Sequence, residues 1–157
     1  MKDLPVFEGL FGGGKSKSVV QDITASQDRI AFLLARDVID ISDGEWGNRE
    51  WVELAVNHEL DPNEDLRSST QAIVLARHPN RHLEALGFRL SAQTKMELAG
   101  LRAKMDAAGQ GRWTIADIVL DRGGTYTFSF RHEDPPRING DLLHMPLKGY
   151  LERYNAR

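Results

Sequence analysis

Cysteine is absent from the 157 residues. Disulfides, thiolate nucleophiles and cysteine metal sites are therefore excluded, and an export compartment that favours disulfides is not indicated. Long hydrophobic runs are also missing. None approaches the roughly 20 apolar residues that a membrane-spanning helix needs. The opening stretch MKDLPVFEGLFGGGKSKS carries neither the apolar core nor the small-residue cleavage site of a secretory signal. These absences together predict a cytoplasmic protein with no membrane partner. A strong net charge is lacking too: the formal value is −3, which by itself attracts neither nucleic acid nor membrane.

What is present is charge segregation. From Asp37 to Asp65 the chain holds Asp37, Asp40, Asp43, Glu45, Glu50, Glu53, Glu59, Asp61, Glu64 and Asp65 against the single base Arg49, nine net negative charges. From Arg77 to Arg112 bases predominate. That basic segment has only Phe88 as an interleaved aromatic, a poor footprint for nucleic acid, so no direct nucleic-acid partner is expected. The dense acidic stretch suits a protein interface instead, because complementary charge steers association with a basic surface.

The organising stretch is Arg112 to Gly140. Tyr126, Phe128 and Phe130 alternate with Thr125, Thr127, Ser129 and Arg131, the period-2 signature of a strand with one buried face. Trp113 to Leu120 is rich in β-branched and aromatic residues, and Arg122-Gly123-Gly124 reads as the hairpin turn between the two strands. Pro135-Pro136 ends the sheet. Upstream, Ser26 is a candidate N-cap for a helix with Ile30, Leu33, Leu34, Val38 and Ile41 on one face. Glu50 to His58 alternates, with Val52, Leu54 and Val56 on one side and Trp51, Glu53, Ala55 and Asn57 on a polar outer side. Gln71 to Arg77 is a second strand, and Phe88-Arg89-Leu90 a candidate short one. A helix with Leu98, Leu101 and Met105 on its inner face follows, capped by Ser91 or by the Thr94 to Glu97 capping box. A last helix is expected from near Pro146. This order predicts an α+β domain over 21–157, with an antiparallel sheet of about four to five strands and helices mainly on one face. Residues 1–20, rich in Gly, Lys and Ser, read as a flexible extension.

Gly9 to Ser16, GLFGGGKS, matches the phosphate-loop pattern, in which backbone amides cradle phosphates, Lys15 reaches them and Ser16 binds magnesium. Its context argues against it, because Met1 to Glu8 does not read as a buried strand. His78 and His82 have an i,i+4 spacing that would suit a metal on a helix, but Pro79 breaks that helix. No cofactor or metal is predicted, and no catalytic constellation stands out.

Trp113, Ile118, Gly124, Tyr126, Phe128 and Phe130, followed by acid, proline and the Arg137-Ile138-Asn139-Gly140 exit, resemble the YezG-like family of bacterial immunity proteins. The resemblance extends in element order from about Ser26 to Tyr154. It implies a non-enzymatic cytoplasmic protein that binds and neutralises a cognate toxin domain, often a nuclease, from a polymorphic or contact-dependent inhibition system. The charge pattern then names the expected toxin-binding residues: Asp40, Asp43, Glu45, Trp46, Trp51, Glu53, Asp61, Glu64 and Asp65. A small nucleotide-binding protein using Gly9 to Ser16, and a regulatory interaction domain unrelated to toxins, are the competing readings.

Overall fold

A computed structural model describes residues 14–39 and 46–157. Helix α1 runs unbroken over Gly14–Ile39, so the boundary expected at residue 20 falls inside it. Ser26, expected to cap the helix, sits mid-helix instead. It is buried and accepts a hydrogen bond from Lys104 Nζ at 2.6 Å. Polar Ser26 and Gln27 interrupt the apolar stripe that links Val19, Val20 and Ile23 to Ile30, Leu34 and Val38, which made a continuous helix look like a start. The first thirteen residues lie outside the described residues.

Five strands follow: β1 (Glu50–Leu60), β2 (Ser68–Arg77), β3 (Glu84–Gly87), β4 (Ile115–Asp121) and β5 (Tyr126–Arg131). They form one sheet in the order β3-β2-β1-β4-β5, antiparallel at every pairing. The short third strand precedes Phe88-Arg89-Leu90 rather than using it. Phe88 and Leu90 are buried, and Phe88 N donates to Ala72 O. Helix α2 (Ala92–Ala107) is capped by Ser91, whose Oγ accepts from Thr94 N, so Thr94 is a first-turn residue and not the cap. Asp37 of α1 accepts from Ser91 N and from Thr94 Oγ1, at 3.1 and 2.6 Å. One buried carboxylate thus joins the two helices at the start of α2, where negative charge is favoured.

The core lies between the sheet and α1 and α2. Leu54, Val56, Val74, Leu98, Leu101, Trp113, Ile118 and Phe128 meet there. The hairpin aromatics stack as a ladder: Tyr126 meets Phe128 edge-on at 5.3 Å, Phe130 lies 6.0 Å from Phe128, and Trp113 lies 5.4 Å from Phe130. Gly124 holds φ at 98° in the β4–β5 turn, a left-handed conformation that favours glycine.

Two expectations for β1 are corrected. A bulge between Trp51 and Glu53 shifts the register, since Trp51 pairs with Ala76 but Glu53 with Leu75. A bulge inserts one extra residue and resets the alternation. Trp51 therefore joins Leu54 and Val56 in the core, 8% exposed, instead of sharing an outward face with Glu53. The opposite face is not solvent-facing either. Glu53, Ala55, Asn57 and Glu59 are all buried, because the chain after Pro135-Pro136 folds back across them as a strap. The strap ends in α3 (Tyr150–Asn155), which begins four residues beyond Pro146 after a series of turns.

Candidate functional site: the ionic face of the sheet

The strap turns the second face of the sheet into a set of ion pairs and hydrogen bonds. Arg137, next after the proline pair, reaches into it. Its Nε donates to Ser69 Oγ at 2.9 Å, and its Nη2 to Asn57 Oδ1 at 2.8 Å and Asn57 O and Ser69 O at 3.1 Å. Nη1 donates to His144 O and lies 3.4 Å from Glu59 Oε2. Glu59 Oε1 accepts from Ile138 N at 3.0 Å. Both partners are buried, so each charge depends on the other: desolvating an ion is costly unless it is paired and hydrogen-bonded. Burial pulls the Arg137 guanidinium below its usual value, and Glu59 opposes that shift. Beside them Asn57 donates to Asp117, which also takes Arg131 at 2.8 Å.

At the far end of the strap, Glu53 accepts from the Tyr150 hydroxyl and from Arg157 Nη1 and Nη2 at 3.2 and 3.0 Å. Burial, then the Glu53 bond, pushes the Tyr150 phenol up to about 12. The hydroxyl therefore stays protonated as a donor at neutral pH.

The loop that follows β1 is organised by arginines too. Asp61 accepts from Asn63 N at 2.7 Å, from Glu64 N at 3.1 Å and from Arg67 Nη1 at 2.7 Å. The Asn63 bond leads in holding its carboxyl below the usual range. Asp65 accepts from both Arg102 and Arg112 at 2.8 Å, and its carboxyl is likewise lowered, first by the Arg102 bond. Arg102 is fully buried on α2. Its Nη1 donates to Trp113 O at 3.3 Å, and its guanidinium lies 5.9 Å from the centre of the Trp113 ring.

Of the expected toxin-binding residues, Asp40, Asp43 and Glu45 lie outside the described residues. Trp46 is half-buried against the core, and Trp51 and Glu53 are buried in opposite faces of β1. Asp61 is largely enclosed. Glu64 and Asp65 alone are exposed, Asp65 within its arginine fork. Four acids of the stretch, Glu53, Glu59, Asp61 and Asp65, thus anchor Arg157, Arg137, Arg67, and Arg102 with Arg112 respectively. The sequence carried a signal for Arg102, which occupies a stripe position between Leu98 and Met105. Arg137, Tyr150 and Arg157 had none, because nothing local marks a return to strand residues 80, 97 and 104 positions earlier.

Trp51, Glu50, Val52, Arg77, Asp121, Arg122 and Gly123 line an open cleft of about 460 Å³. Arg122 stacks over Trp51 at 5.8 Å and donates to its carbonyl. His58 is buried, shares a hydrogen bond with Thr70 Oγ1 at 2.8 Å, and has a pKa lowered to about 3. Burial is the main cause, followed by the charges of Lys95, Arg137 and Arg102. His78 bonds Asn48 Oδ1 at 2.9 Å from a turn. Among the described residues, no group of three or more His, Asp or Glu side chains could hold a metal ion.

A phosphate loop needs a parallel strand before its helix, and the residues that would supply it here, Met1 to Glu8, lie outside the described residues. Every pairing among the described residues is antiparallel, and Asp121 turns into a hairpin, its carboxylate accepting from Thr125 N at 3.1 Å. Gly14 does open α1, but Gly9 to Gly13 lie outside the described residues. A scan against protein-family models and a search of curated proteins return no match.

Proposed function

We propose that this chain is a binding protein of the immunity type, which neutralises a toxin domain by covering it and performs no catalysis. The observation that carries the reading is the strap's apolar tip. Leu142, Leu143 and Met145 are 77%, 87% and 55% exposed within four residues. They stand on a loop that is internally fixed: Asp141 N donates to Pro136 O, Leu143 N to Asp141 Oδ1, and Arg137 Nη1 to His144 O. Apolar side chains held outward by a preordered loop cost little entropy to dock, which is what an interface anchor requires. Leu66, 91% exposed, adds a further apolar residue, this one next to the exposed acids Glu64 and Asp65. Among the described acids of the expected set, the contribution to a basic partner narrows to this loop, with Trp46 at the opposite end of β1 and Asp40, Asp43 and Glu45 retained from the sequence reading.

The test uses a toxin domain encoded beside this chain, expressed with and without it, and the affinity of the purified pair. Rescue of growth and a complex are expected. Leu142→Asp with Leu143→Asp should weaken binding at least tenfold with an unchanged thermal midpoint. Glu64→Lys should mainly slow association at low salt. Absence of both complex and rescue sinks the reading. Binding untouched by the tip variants moves the interface elsewhere.

A further inference from the structure

Glu53 is the one buried carboxylate of β1 whose side-chain bonds all come from the last helix and the residue beyond its cap. Tyr150 and Arg157, seven residues apart, fill it. The other buried carboxylate of this face, Glu59, three positions further along it, is treated differently. Glu59 is sealed by Arg137 and by the Ile138 amide, all deeply buried. By contrast α3 has no buried residue, and the Arg157 side chain remains 57% exposed. The strap is thus locked at its first end and only clasped at its second.

The ground under the clasp is suited to holding a side chain. Leu75 is Glu53's partner in β2, and Asp121 its partner in β4. Leu75 supplies buried apolar surface, while Asp121 also lines the open cleft beside Trp51 and Arg122. Asp121 is thus common to the cleft and to the strand pairing of Glu53, and the shelf meets solvent through the exposed Arg157 side chain.

We infer that the Glu53 shelf is a binding site for a protein segment carrying an arginine and a tyrosine two helical turns apart, and that α3 occupies it in cis. The chain's own helix shows the recognition chemistry. A guanidinium gives two parallel N–H bonds to the carboxylate, a geometry that lysine cannot reproduce, and a protonated phenol gives a third. A partner segment with the same pair competes with α3, which is favoured by its tether. A short tether supplies an effective concentration on the order of millimolar, so a competing segment gains the shelf by adding contacts of its own. The apolar tip at Leu142 to Met145, on the same strap, can supply them. The shelf stands independently of the toxin reading, which would only name the protein that brings the segment.

The experiment needs no partner protein. The probe is a synthetic peptide of residues 148–157, KGYLERYNAR, titrated by NMR into the full chain and into the full chain carrying Tyr150→Ala and Arg157→Ala. The variant should keep its fold and bind the peptide with a Kd of about 0.1 mM or tighter, at least tenfold below the tether's effective concentration. Wild-type chain should bind at least tenfold more weakly. Adding Glu53→Gln to the variant, or Arg157→Ala to the peptide, should abolish binding. Equal binding to wild type and variant, no binding to either, or unfolding of the variant each overturns the proposal, the last by making α3 part of the fold. Because no toxin is present, failure of the peptide to bind leaves the outcome of the toxin assay untouched, and the converse holds.

Discussion

The two faces of the sheet are assembled by different physics. Under α1 and α2 the contacts are apolar and interlocking, with Phe128, Trp113, Ile118, Leu54 and Leu101 buried together. Under the strap they are directional, with Arg137 on Glu59 and Asn57 and Arg157 on Glu53. Apolar burial is non-directional and tolerant of sliding. A buried charge fixed by several hydrogen bonds accepts one geometry and penalises all others. The helical face holds the main cluster of buried apolar side chains. The strapped face sets where a long, irregular segment lies and, through it, where Leu142, Leu143 and Met145 are displayed.

That contrast can be broken with comparable severity on either face, starting on the apolar side. Phe128→Ala removes a fully buried ring and should cost about 3–5 kcal/mol through lost transfer energy and a cavity. Exposed Thr127→Ala, on the other side of the same strand, should cost well under 1 kcal/mol. Chemical denaturation of both variants measures the pair, and equal losses would erase the distinction between the faces. On the strapped side, Arg137→Ala leaves Glu59 buried without its cation, a loss of about 3–5 kcal/mol. The same truncation combined with Glu59→Gln should recover a large part of it, because the stranded charge is gone. A double-mutant cycle reads this coupling, and no recovery would mean that Arg137 acts through packing alone.

A smaller, pH-dependent effect sharpens the comparison at His58, which lies in β1 between Asn57 and Glu59. Its pKa is about 3 in the folded chain, against a usual value of 6.5. The unfolded chain therefore binds a proton first as the pH falls. Stability from this group is complete above pH 6.5, drops steadily towards pH 3, and should be lower by about 2 kcal/mol at pH 5. Denaturation midpoints followed from pH 7 to 4 check it. His58→Gln should flatten that part of the profile, and an unchanged slope would place the titration elsewhere.

Much of the apolar face was legible in the sequence. The Tyr126, Phe128 and Phe130 alternation, the Gly123-Gly124 turn and the Leu98, Leu101 and Met105 stripe each fix a local period that the packing keeps. Trp51 was misread because one inserted residue reverses the parity of a strand, and no local residue type announces it. The ionic face was illegible for a different reason. Glu53, Asn57 and Glu59 alternate like any solvated edge, and only the return of Arg137 and Arg157 from the far end of the chain buries them. The same long-range pairing made the acidic stretch look like an open patch. Counting charge along a sequence cannot tell a carboxylate that waits for a partner from one that already has it.

The position of β1 carries a consequence for how this chain is made. The central strand of the sheet is the first of the five to leave the ribosome. Its pairing with β2 forms across a short loop, but Glu59 meets Ile115, and Glu53 meets Asp121, only after more than fifty further residues. Until then one side of an eleven-residue, largely apolar strand lacks its neighbour, and closing so long a loop is slow. A nascent or slowly refolding chain thus passes through a stage with an open edge in the middle of its future sheet. Such edges pair with other copies, so recovery on refolding should fall as chain concentration rises, even though the finished domain hides that edge completely.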